Sequence, residues 1–137
     1  MNINPNIWGA DTWHFLHYVT IAYPVTPSDR IKQHARNLFE SLEYLLPCEK
    51  CRYNFGQHMQ QRPLTDAILS SKTLLIRWLI DIHNDVNMTL GKSPMSYENA
   101  INTYMEGGGK WYNNSRYITI LVTSLLLVAL ILFLRFK

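Results

Sequence analysis

Apolar side chains recur at intervals of three and four residues through most of the chain, a spacing that places them on one face of an α-helix. In the first such segment, that face carries Trp13, Leu16, His17 and Thr20. Pro24 must end this helix, because proline cannot donate the backbone hydrogen bond that a continuing helix needs. A second helix is predicted after Ser28, a residue suited to cap a helix N-terminus. Its apolar face consists of Ile31, Ala35, Leu38, Leu42 and Leu45.

Three further helices are predicted before residue 106. Pro47 interrupts the second pattern, and a third helix starts at the cysteines and runs to about Gln60. The fourth helix has one apolar stripe, which consists of Leu75, Trp78, Leu79, Ile82, Val86 and Leu90. Gly91 is placed to terminate it, and Ser96 to cap a short fifth helix. Since no alternating β pattern and no repeat occurs, residues 1–106 are predicted to form an all-α domain, a four-helix bundle with a short fifth helix.

The C-terminal residues follow a different pattern. Residues 117–134 read YITILVTSLLLVALILFL without a charge, and eighteen helical residues span about 27 Å, close to the hydrocarbon thickness of a bilayer. Arg116 precedes this run, and Arg135 and Lys137 follow it, where their charges reach the headgroups. A buried core helix would show a polar face, which this segment lacks. We therefore predict a single C-terminal transmembrane helix.

Two short segments flank the predicted membrane helix. Residues 107–116 begin with three glycines and are predicted to form a flexible linker, and residues 135–137 form a basic tail. The N-terminal sequence MNINPNIWGADTW lacks the basic start and apolar run of a secretory signal. A span this close to the C-terminus favours post-translational tail anchoring, which leaves the helical domain facing the cytosol.

Composition narrows the class of protein further. The 137 residues have room for one domain and one appendage. The net charge of +3 is small and scattered, so it does not predict nucleic-acid binding. With two cysteines, the chain is not a secreted module built on several disulfides.

Both cysteines lie in one Cys-x-x-Cys motif, CEKC at residues 48–51. Pro47 and the helical pattern after it place the pair at a helix N-terminus, where free N–H groups and the helix dipole stabilise a thiolate. Such a pair can cycle between dithiol and disulfide through mixed disulfides. Taken alone, the motif also fits two incidental thiols or a zinc site with His58 and His83, although that spacing matches no common zinc module.

Two other segments concentrate aromatic and polar side chains. Residues 8–17, WGADTWHFLH, place Trp13 and His17 on one helix face, a pattern that core packing alone also explains. Residues 83–87, HNDVN, place imidazole and amide groups beside the apolar stripe of the fourth helix. Because unpaired buried polar groups are costly, we expect either a flat polar group packed there or a core hydrogen-bond network. A hydrolytic or metal site at Asp85 is disfavoured, since no second carboxylate or histidine has suitable spacing.

The three segments together resemble the Erv/ALR family of FAD-linked sulfhydryl oxidases. WGADTWHFLH, PCEKCRYNF and HNDVNMTLGK occur in this order and meet the family patterns W-G-x-x-x-W-x-x-L-H, C-x-x-C-R-x-x-F and H-N-x-V-N-x-x-L-G-K at every fixed position. The resemblance covers residues 8–106. It implies a four-helix bundle with a short fifth helix that holds FAD at the mouth of the bundle, commonly as a homodimer.

Matching positions imply the roles of individual residues. Cys48 and Cys51 form the catalytic pair, with Cys48 exchanging with substrate and Cys51 beside the flavin ring. His83 is expected at the adenine and Lys92 at the phosphates, and Tyr53 is a further candidate near the ring. The residues expected to bind FAD are Trp8, Gly9, Trp13, His17, Cys51, Phe55, Trp78, His83, Asn84, Val86, Asn87, Leu90, Lys92 and Tyr104.

The implied enzyme is a thiol oxidase that makes disulfides in proteins, with 2 R–SH + O2 giving R–S–S–R + H2O2. A substrate thiolate attacks Cys48, a second substrate thiol resolves the mixed disulfide, and Cys51 passes electrons to the flavin, which reduces O2. Larger family members carry further cysteines in a shuttle pair and in structural or intersubunit disulfides, and this chain has none. Substrate is therefore expected to reach Cys48 directly, through a thioredoxin-like protein or a small Cys-x-x-Cys relay protein.

This chain lacks those further cysteines, and in this respect it resembles the minimal sulfhydryl oxidases of large cytoplasmic DNA viruses, some of which have a membrane segment. The resemblance therefore implies a late viral protein in the host cytoplasm or on a virion membrane, forming disulfides in a compartment that otherwise keeps thiols reduced. Three alternatives stay open: a zinc-binding membrane adaptor, a flavin-free thiol–disulfide exchanger and a purely structural membrane bundle. The first two predict a protein without flavin absorbance, whereas a flavoprotein is yellow, and the third predicts no effect of Cys51→Ser.

Overall fold

The computed structural model describes residues 2–105, 118–127 and 135. Within these ranges every regular element is an α-helix and no strand occurs, which confirms the all-α prediction. The chain divides into two compact units, Met1–Tyr104 and Met105–Lys137. The elements up to residue 105 are α1 (Pro5–Ala22), α2 (Asp29–Leu45), α3 (Glu49–Gln61), α4 (Asp66–Leu69), α5 (Lys72–Thr89) and α6 (Tyr97–Met105).

The boundaries of α1 and α2 follow from the residues at their ends. The side chain of Asn4 caps α1 by accepting a hydrogen bond from the N–H of Asn6 (3.0 Å). Pro5 occupies the first position of the helix, where a missing N–H has no consequence. α1 ends before Pro24, and the Ser28 hydroxyl accepts a hydrogen bond from a backbone N–H in the first turn of α2 (3.4 Å). Both predicted boundary residues are thus confirmed.

The buried face of α2 differs in part from the predicted stripe. Ala35 and Phe39 are its buried residues, and Phe39 does not belong to the predicted stripe. Ile31 and Leu45, at the two ends of that stripe, are exposed, Leu45 to 73%. Among the described residues, the backbone of α2 lies closest to α3 and α4, and the two ends of its apolar stripe extend beyond the helices that cover it.

One short helix, α4, is not predicted from the sequence, because its four residues are too few to show a helical period. Thr65 caps it by accepting a hydrogen bond from the N–H of Ile68 (3.4 Å). Leu69 is buried, and its carbonyl accepts a hydrogen bond from the hydroxyl of Tyr23 (2.9 Å). This hydrogen bond therefore links α4 to Tyr23, the residue directly after α1.

α5 forms the centre of the first unit. It packs against α1, α3 and α4, and its Leu75, Leu79 and Ile82 are fully buried. Trp78 of α5 meets Phe39 of α2 edge to face, with ring centroids 5.0 Å apart. Burying a large apolar side chain stabilises a fold by about 1.5–3 kcal/mol, so this apolar centre holds together the helices that carry the site.

An ion-pair cluster fixes the end of α3 against α5. Arg62, directly after α3, donates to both carboxylate oxygens of Asp85, at 2.5 and 3.2 Å. It also lies 3.8 Å from Asp81, whose carboxylate accepts a hydrogen bond from the hydroxyl of Tyr97 in α6 (2.8 Å). A two-pronged contact between arginine and carboxylate has a defined geometry, so this cluster orients three helices relative to one another.

The predicted membrane segment falls in the second compact unit. Residues 118–127 are helical and exposed. None of the helices in the described parts of the chain combines the length and apolar character needed to cross a bilayer. The predicted span at 117–134 extends beyond the described residues, and the predicted linker at 107–116 lies outside them, as does the basic tail apart from Arg135. The membrane helix therefore stays a prediction.

Candidate functional site

A cavity of about 530 Å³ lies among α1, α3 and α5, within the range of volumes that small-molecule sites have. Both cysteines lie in its wall, and residues from the start of the chain face residues from the end of α5. The predicted site residues that line the cavity are Trp8, Gly9, Trp13, Cys48, Cys51, Phe55, His83, Val86, Asn87, Leu90, Lys92 and Tyr104. The structure thus brings most of the residues predicted to bind FAD to one site together with the cysteine pair.

The cysteine pair sits at the N-terminus of α3, as the sequence predicts. Cys48 and Cys51 are joined in a disulfide, with their Cα atoms 5.1 Å apart. Cys48 is the N-cap of α3, and its sulfur accepts a hydrogen bond from the N–H of Cys51 (3.2 Å). Because this N–H and the helix dipole both favour negative charge on the sulfur, the geometry stabilises a thiolate when the disulfide is reduced.

The first residues of the chain contact both sides of the Cys-x-x-Cys motif. The side-chain oxygen of Asn2 accepts a hydrogen bond from the N–H of Glu49 (2.8 Å), and the N–H of Ile3 donates to the carbonyl of Pro47 (2.8 Å). The indole N–H of Trp8 in turn donates to the carbonyl of Ile3 (3.2 Å). These bonds position the disulfide and the ring of Trp8 relative to each other.

Stacked rings form the opposite side of the site. His83 stacks on Trp13 with ring centroids 4.0 Å apart and planes 6° from parallel. His17 stacks on Tyr104 at 3.9 Å and 14°. A hydrogen bond of 3.0 Å between Nε2 of His17 and Nδ1 of His83 joins the two stacks. The four rings therefore form one connected group supplied by α1, α5 and α6.

The two histidines of this group are uncharged at neutral pH. The pKa of His17 is lowered to about 3, mainly by burial and to a smaller extent by electrostatic interactions with His83 and His14. Burial also lowers the pKa of His83 to about 4, with smaller effects from the charges of Lys92 and His14. A neutral imidazole both donates and accepts a hydrogen bond, so one ring donates to the other across their contact.

Three of the residues predicted to bind FAD lie behind the cavity wall. His17 is 2% exposed. Trp78 is buried, and its indole N–H donates to the carbonyl of Arg62 (2.8 Å). The side chain of Asn84 exchanges two hydrogen bonds with the backbone of Met95, at 2.9 and 2.8 Å. All three side chains therefore contact other parts of the protein and do not line the cavity.

The cavity wall also contains polar residues to which the sequence assigns no cofactor contact, namely Asn6, Thr12, His14, Lys50, Asn54, His58 and Thr89. The family patterns have no fixed letter at these positions, so the resemblance does not single them out. Helical spacing from Cys51 would have indicated two of them, since positions three and seven residues further on lie on the same face. Tyr53, the other candidate near the ring, is 68% exposed and does not line the cavity.

The chemistry of the wall fits FAD. Trp13 and Tyr104 contribute aromatic rings suited to planar groups, and Lys92 contributes a positive charge suited to phosphates. A Cβ atom added at Gly9 would meet no protein atom within 4 Å, so a ligand can approach the backbone of α1 there. A planar cofactor that carries phosphates matches the aromatic rings, the positive charge and the open backbone at Gly9.

A zinc site does not match the donors. In the described ranges of the chain, no three His, Cys, Asp or Glu side chains are grouped closely enough to bind a metal ion. Cys48 and Cys51 share a disulfide, whereas zinc is bound by free thiolates. The two histidines considered with them, His58 and His83, line the cavity without completing a metal-binding set.

Comparison with known proteins gives consistent matches. A model of the Erv1 / Alr family matches residues 10–106. A probable FAD-linked sulfhydryl oxidase of Acanthamoeba polyphaga mimivirus is 43% identical over 99 residues, which cover 72% of this chain and 69% of the relative. A putative FAD-linked sulfhydryl oxidase of Invertebrate iridescent virus 6 is 36% identical over 95 residues, covering 66% of this chain and 86% of the relative.

Solved structures share the fold. The FAD-binding domain of Erv1 from Saccharomyces cerevisiae superposes with a TM-score of 0.70 at 24% identity, over 77% of this chain and 98% of that one. The yeast Erv1 core superposes with a TM-score of 0.68 at 23% identity, over 78% of this chain and 88% of that one. At these identities the likeness establishes the fold, and the family model and the mimivirus relative establish the family. The chain belongs to the Erv1/Alr family.

Proposed function

We propose that this protein is an FAD-dependent sulfhydryl oxidase that forms disulfide bonds in protein substrates, with O2 as electron acceptor and H2O2 as product. The overall reaction is 2 R–SH + O2 → R–S–S–R + H2O2. The observation that carries the proposal is a disulfide, Cys48–Cys51, at a helix N-terminus in the wall of a cavity of about 530 Å³ lined by aromatic rings. The names of the viral relatives support the same activity.

The substrate half of the reaction takes place at the disulfide. A substrate thiolate attacks the sulfur of Cys48, forming a mixed disulfide and releasing Cys51 as a thiolate. A second substrate thiolate then attacks the substrate sulfur of the mixed disulfide, which forms the product disulfide and releases Cys48. The N–H of Cys51, 3.2 Å from the sulfur of Cys48, stabilises the departing thiolate.

The cofactor half needs FAD in the cavity. When bound, FAD accepts two electrons from the reduced cysteine pair and transfers them to O2, and this restores the Cys48–Cys51 disulfide. The protein binds and orients it. We assign the planar groups to the rings of Trp13 and His83, the phosphates to Lys92, and the closest backbone approach to Gly9.

The proposal extends to the partner and the site of action. Both cysteines of the chain belong to the one disulfide, so electrons enter at Cys48 from the thiols of another protein, for which we propose a thioredoxin-like or small Cys-x-x-Cys protein. We further propose a homodimer, anchored by residues 117–134 with the catalytic domain facing the cytosol. The uncharged composition of residues 117–134 supports the anchor. The viral origin of two relatives supports a viral protein, for which we propose late expression and action in the host cytoplasm or on a virion membrane.

The decisive experiment is anaerobic reduction of the purified protein. We expect a yellow protein with bound FAD, whose flavin absorbance bleaches when dithiothreitol is added without air. Admitting air should restore the absorbance and produce H2O2. The proposal is wrong if the protein purifies without flavin when it is expressed with excess riboflavin. It is also wrong if the bound flavin stays oxidised after dithiothreitol is added without air.

A further inference from the structure

Lys50 lies between the two cysteines, in the first turn of α3, and lines the cavity. The Cα atoms of Lys50 and Cys51 are one peptide step of about 3.8 Å apart, and those of Cys48 and Cys51 are 5.1 Å apart. The lysine ammonium group sits on a four-carbon stem. It therefore lies within about 10 Å of either sulfur, a distance over which charges still interact at 0.1 M salt.

The positive charge of Lys50 is not neutralised by its neighbours. Glu49 and Arg52 lie on the same helix, but neither lines the cavity, and Arg52 donates to the carbonyl of Leu46 (2.7 Å). As far as the structure describes the chain, the cavity wall contains no aspartate or glutamate, and Lys50 makes no ion pair. The second lysine of the wall, Lys92, is assigned to the phosphates of FAD. Lys50 is thus the cation that remains for the cysteines.

Helix α3 itself gains nothing from this lysine. The N-terminus of a helix carries a partial positive charge, which repels a cation in the first turn and attracts an anion. A thiolate of the reduced cysteine pair is such an anion, and a nearby lysine lowers its free energy further. The charge of Lys50 therefore opposes the helix dipole while it favours the reduced form of the pair.

We propose that Lys50 raises the reduction potential of the Cys48–Cys51 disulfide and so makes it a stronger oxidant of substrate thiols. This inference rests on the proposed function, in which two substrate thiols become a disulfide while the S–S bond of the enzyme breaks and accepts two electrons. One sulfur of the reduced pair is then a thiolate, and its proton goes to solvent. Because the disulfide carries no such charge, Lys50 stabilises only the reduced form, which raises the potential.

The test is an anaerobic titration of the purified protein in mixtures of reduced and oxidised dithiothreitol. Alkylation of free thiols followed by mass spectrometry gives the reduced fraction of the cysteine pair, and absorbance gives the state of the flavin. For Lys50→Gln we expect an equilibrium constant for reduction about threefold smaller, the effect of one charge about 6 Å away in water, which corresponds to about 14 mV. Lys50→Glu should lower the constant about ninefold, or about 28 mV, and Lys50→Arg should keep the wild-type value.

Two controls separate charge from structure. Lys72 occupies the first turn of α5 and does not line the cavity, so Lys72→Gln removes the same charge from the same kind of position. It should leave the potential of the disulfide unchanged. Raising the salt concentration to 1 M should shrink the differences among the Lys50 variants, since the screening length falls to about 3 Å.

Three results would overturn the inference: one common potential for wild type, Lys50→Gln and Lys50→Glu, a Lys50→Arg variant that falls as far as Lys50→Gln, or differences that persist at 1 M salt. Absence of FAD, or a flavin that stays oxidised, overturns the proposed function instead, and alkylation still measures the disulfide. Equal potentials in a protein whose flavin is reduced normally overturn this inference alone.

Discussion

Gly9 shows how the absence of a side chain contributes to the site. It lies inside α1, where glycine is less favourable than alanine by up to about 1 kcal/mol. A Cβ at this position would meet no protein atom within 4 Å, so packing inside the protein does not require glycine there. Because Gly9 lines the cavity, its bare backbone is better explained by the close approach of a cofactor.

Gly9→Ala should therefore stabilise the flavin-free protein and weaken FAD binding. We expect the free energy of unfolding without FAD to rise by up to about 1 kcal/mol, and FAD affinity to fall because the added methyl group enters the cavity. Denaturant unfolding of the flavin-free protein and fluorescence titration with FAD measure the two effects. Tighter or equal FAD binding in the variant would show that the cofactor does not approach this backbone.

Cys48 has two roles that can be separated by substitution. Its sulfur belongs to the redox pair and also caps α3. Cys48→Ser keeps a capping oxygen, whereas Cys48→Ala does not. Both variants should lose thiol oxidation and retain FAD, and the alanine variant should be less stable than the serine variant by about 1 kcal/mol, the usual loss for a missing N-cap.

Oxygen consumption with dithiothreitol, the flavin absorbance of the purified variants and their unfolding curves test this prediction. Full turnover in either variant would contradict the assigned role of Cys48. Equal stabilities of the two variants would instead show that the sulfur contributes nothing as a cap.

At the scale of the elements, the N-terminal segment and α3 depend on each other. Asn2 lies next to the first turn of α3 and accepts the N–H of Glu49, while Ile3 is bonded to Pro47. The hydrogen bond of Asn2 satisfies one of the N–H groups that a helix leaves free at its start. The segment thus orders the helix end on which the disulfide sits.

Asn2→Ala should loosen this helix end. We expect faster amide hydrogen exchange at Glu49 and stability lower by about 1 kcal/mol, because the N–H loses its acceptor. Asn4→Ala is the matched control, since Asn4 caps α1 at Asn6, and its effect should appear in α1 instead. Unchanged exchange at Glu49 in the first variant would show that the segment does not hold α3.

The same scale shows what the sequence could predict. The starts and ends of the longer helices follow from local signals such as Pro24 and Ser28, and these predictions are confirmed. Local signals do not predict the short helix α4, because four residues show no helical period. They also do not predict the contact of Asn2 with Glu49, because it joins positions 47 residues apart. Long-range packing of this kind is decided by the whole fold.

The candidate site was predictable to a similar extent. Motif letters identified the cysteines and most residues of the cavity wall. Motif letters do not distinguish a residue that lines the cavity from one that lies behind its wall. Trp78 is an example, because its ring packs on Phe39 and its indole N–H donates to a backbone carbonyl. The letters also do not indicate His58, which lines the cavity three residues beyond Phe55, the last fixed position of the cysteine pattern.

At the scale of the whole molecule, the two neutral histidines make stability depend on pH. The pKa of His17 is lowered to about 3 and that of His83 to about 4, both mainly by burial, whereas both titrate near their ordinary value of about 6.5 in the unfolded chain. Below about pH 6.5 the unfolded chain therefore binds protons that the folded domain does not. Acid shifts the equilibrium toward the unfolded state over this range.

We expect the stability of the flavin-free domain to be constant with respect to these groups above about pH 7 and to fall between pH 6.5 and 4. The slope reaches up to about 1.4 kcal/mol per pH unit for each histidine. Urea unfolding at a series of pH values measures it. His83→Gln should make the dependence shallower, and His34→Gln, at an exposed position, should leave it as in the wild type. A stability that does not change between pH 7 and 5 would contradict neutral, buried histidines.

The bonds that Asn2 and Ile3 make around the disulfide have a consequence for handling the protein. An affinity tag or fluorescent label fused ahead of these residues will lie beside the sulfur that exchanges with substrate and will hinder the approach of partner proteins. The turn between α1 and α2 around Val25 is exposed and does not border the cavity, so it is the better place for a label. Kinetic comparisons should therefore be made with a label at this turn.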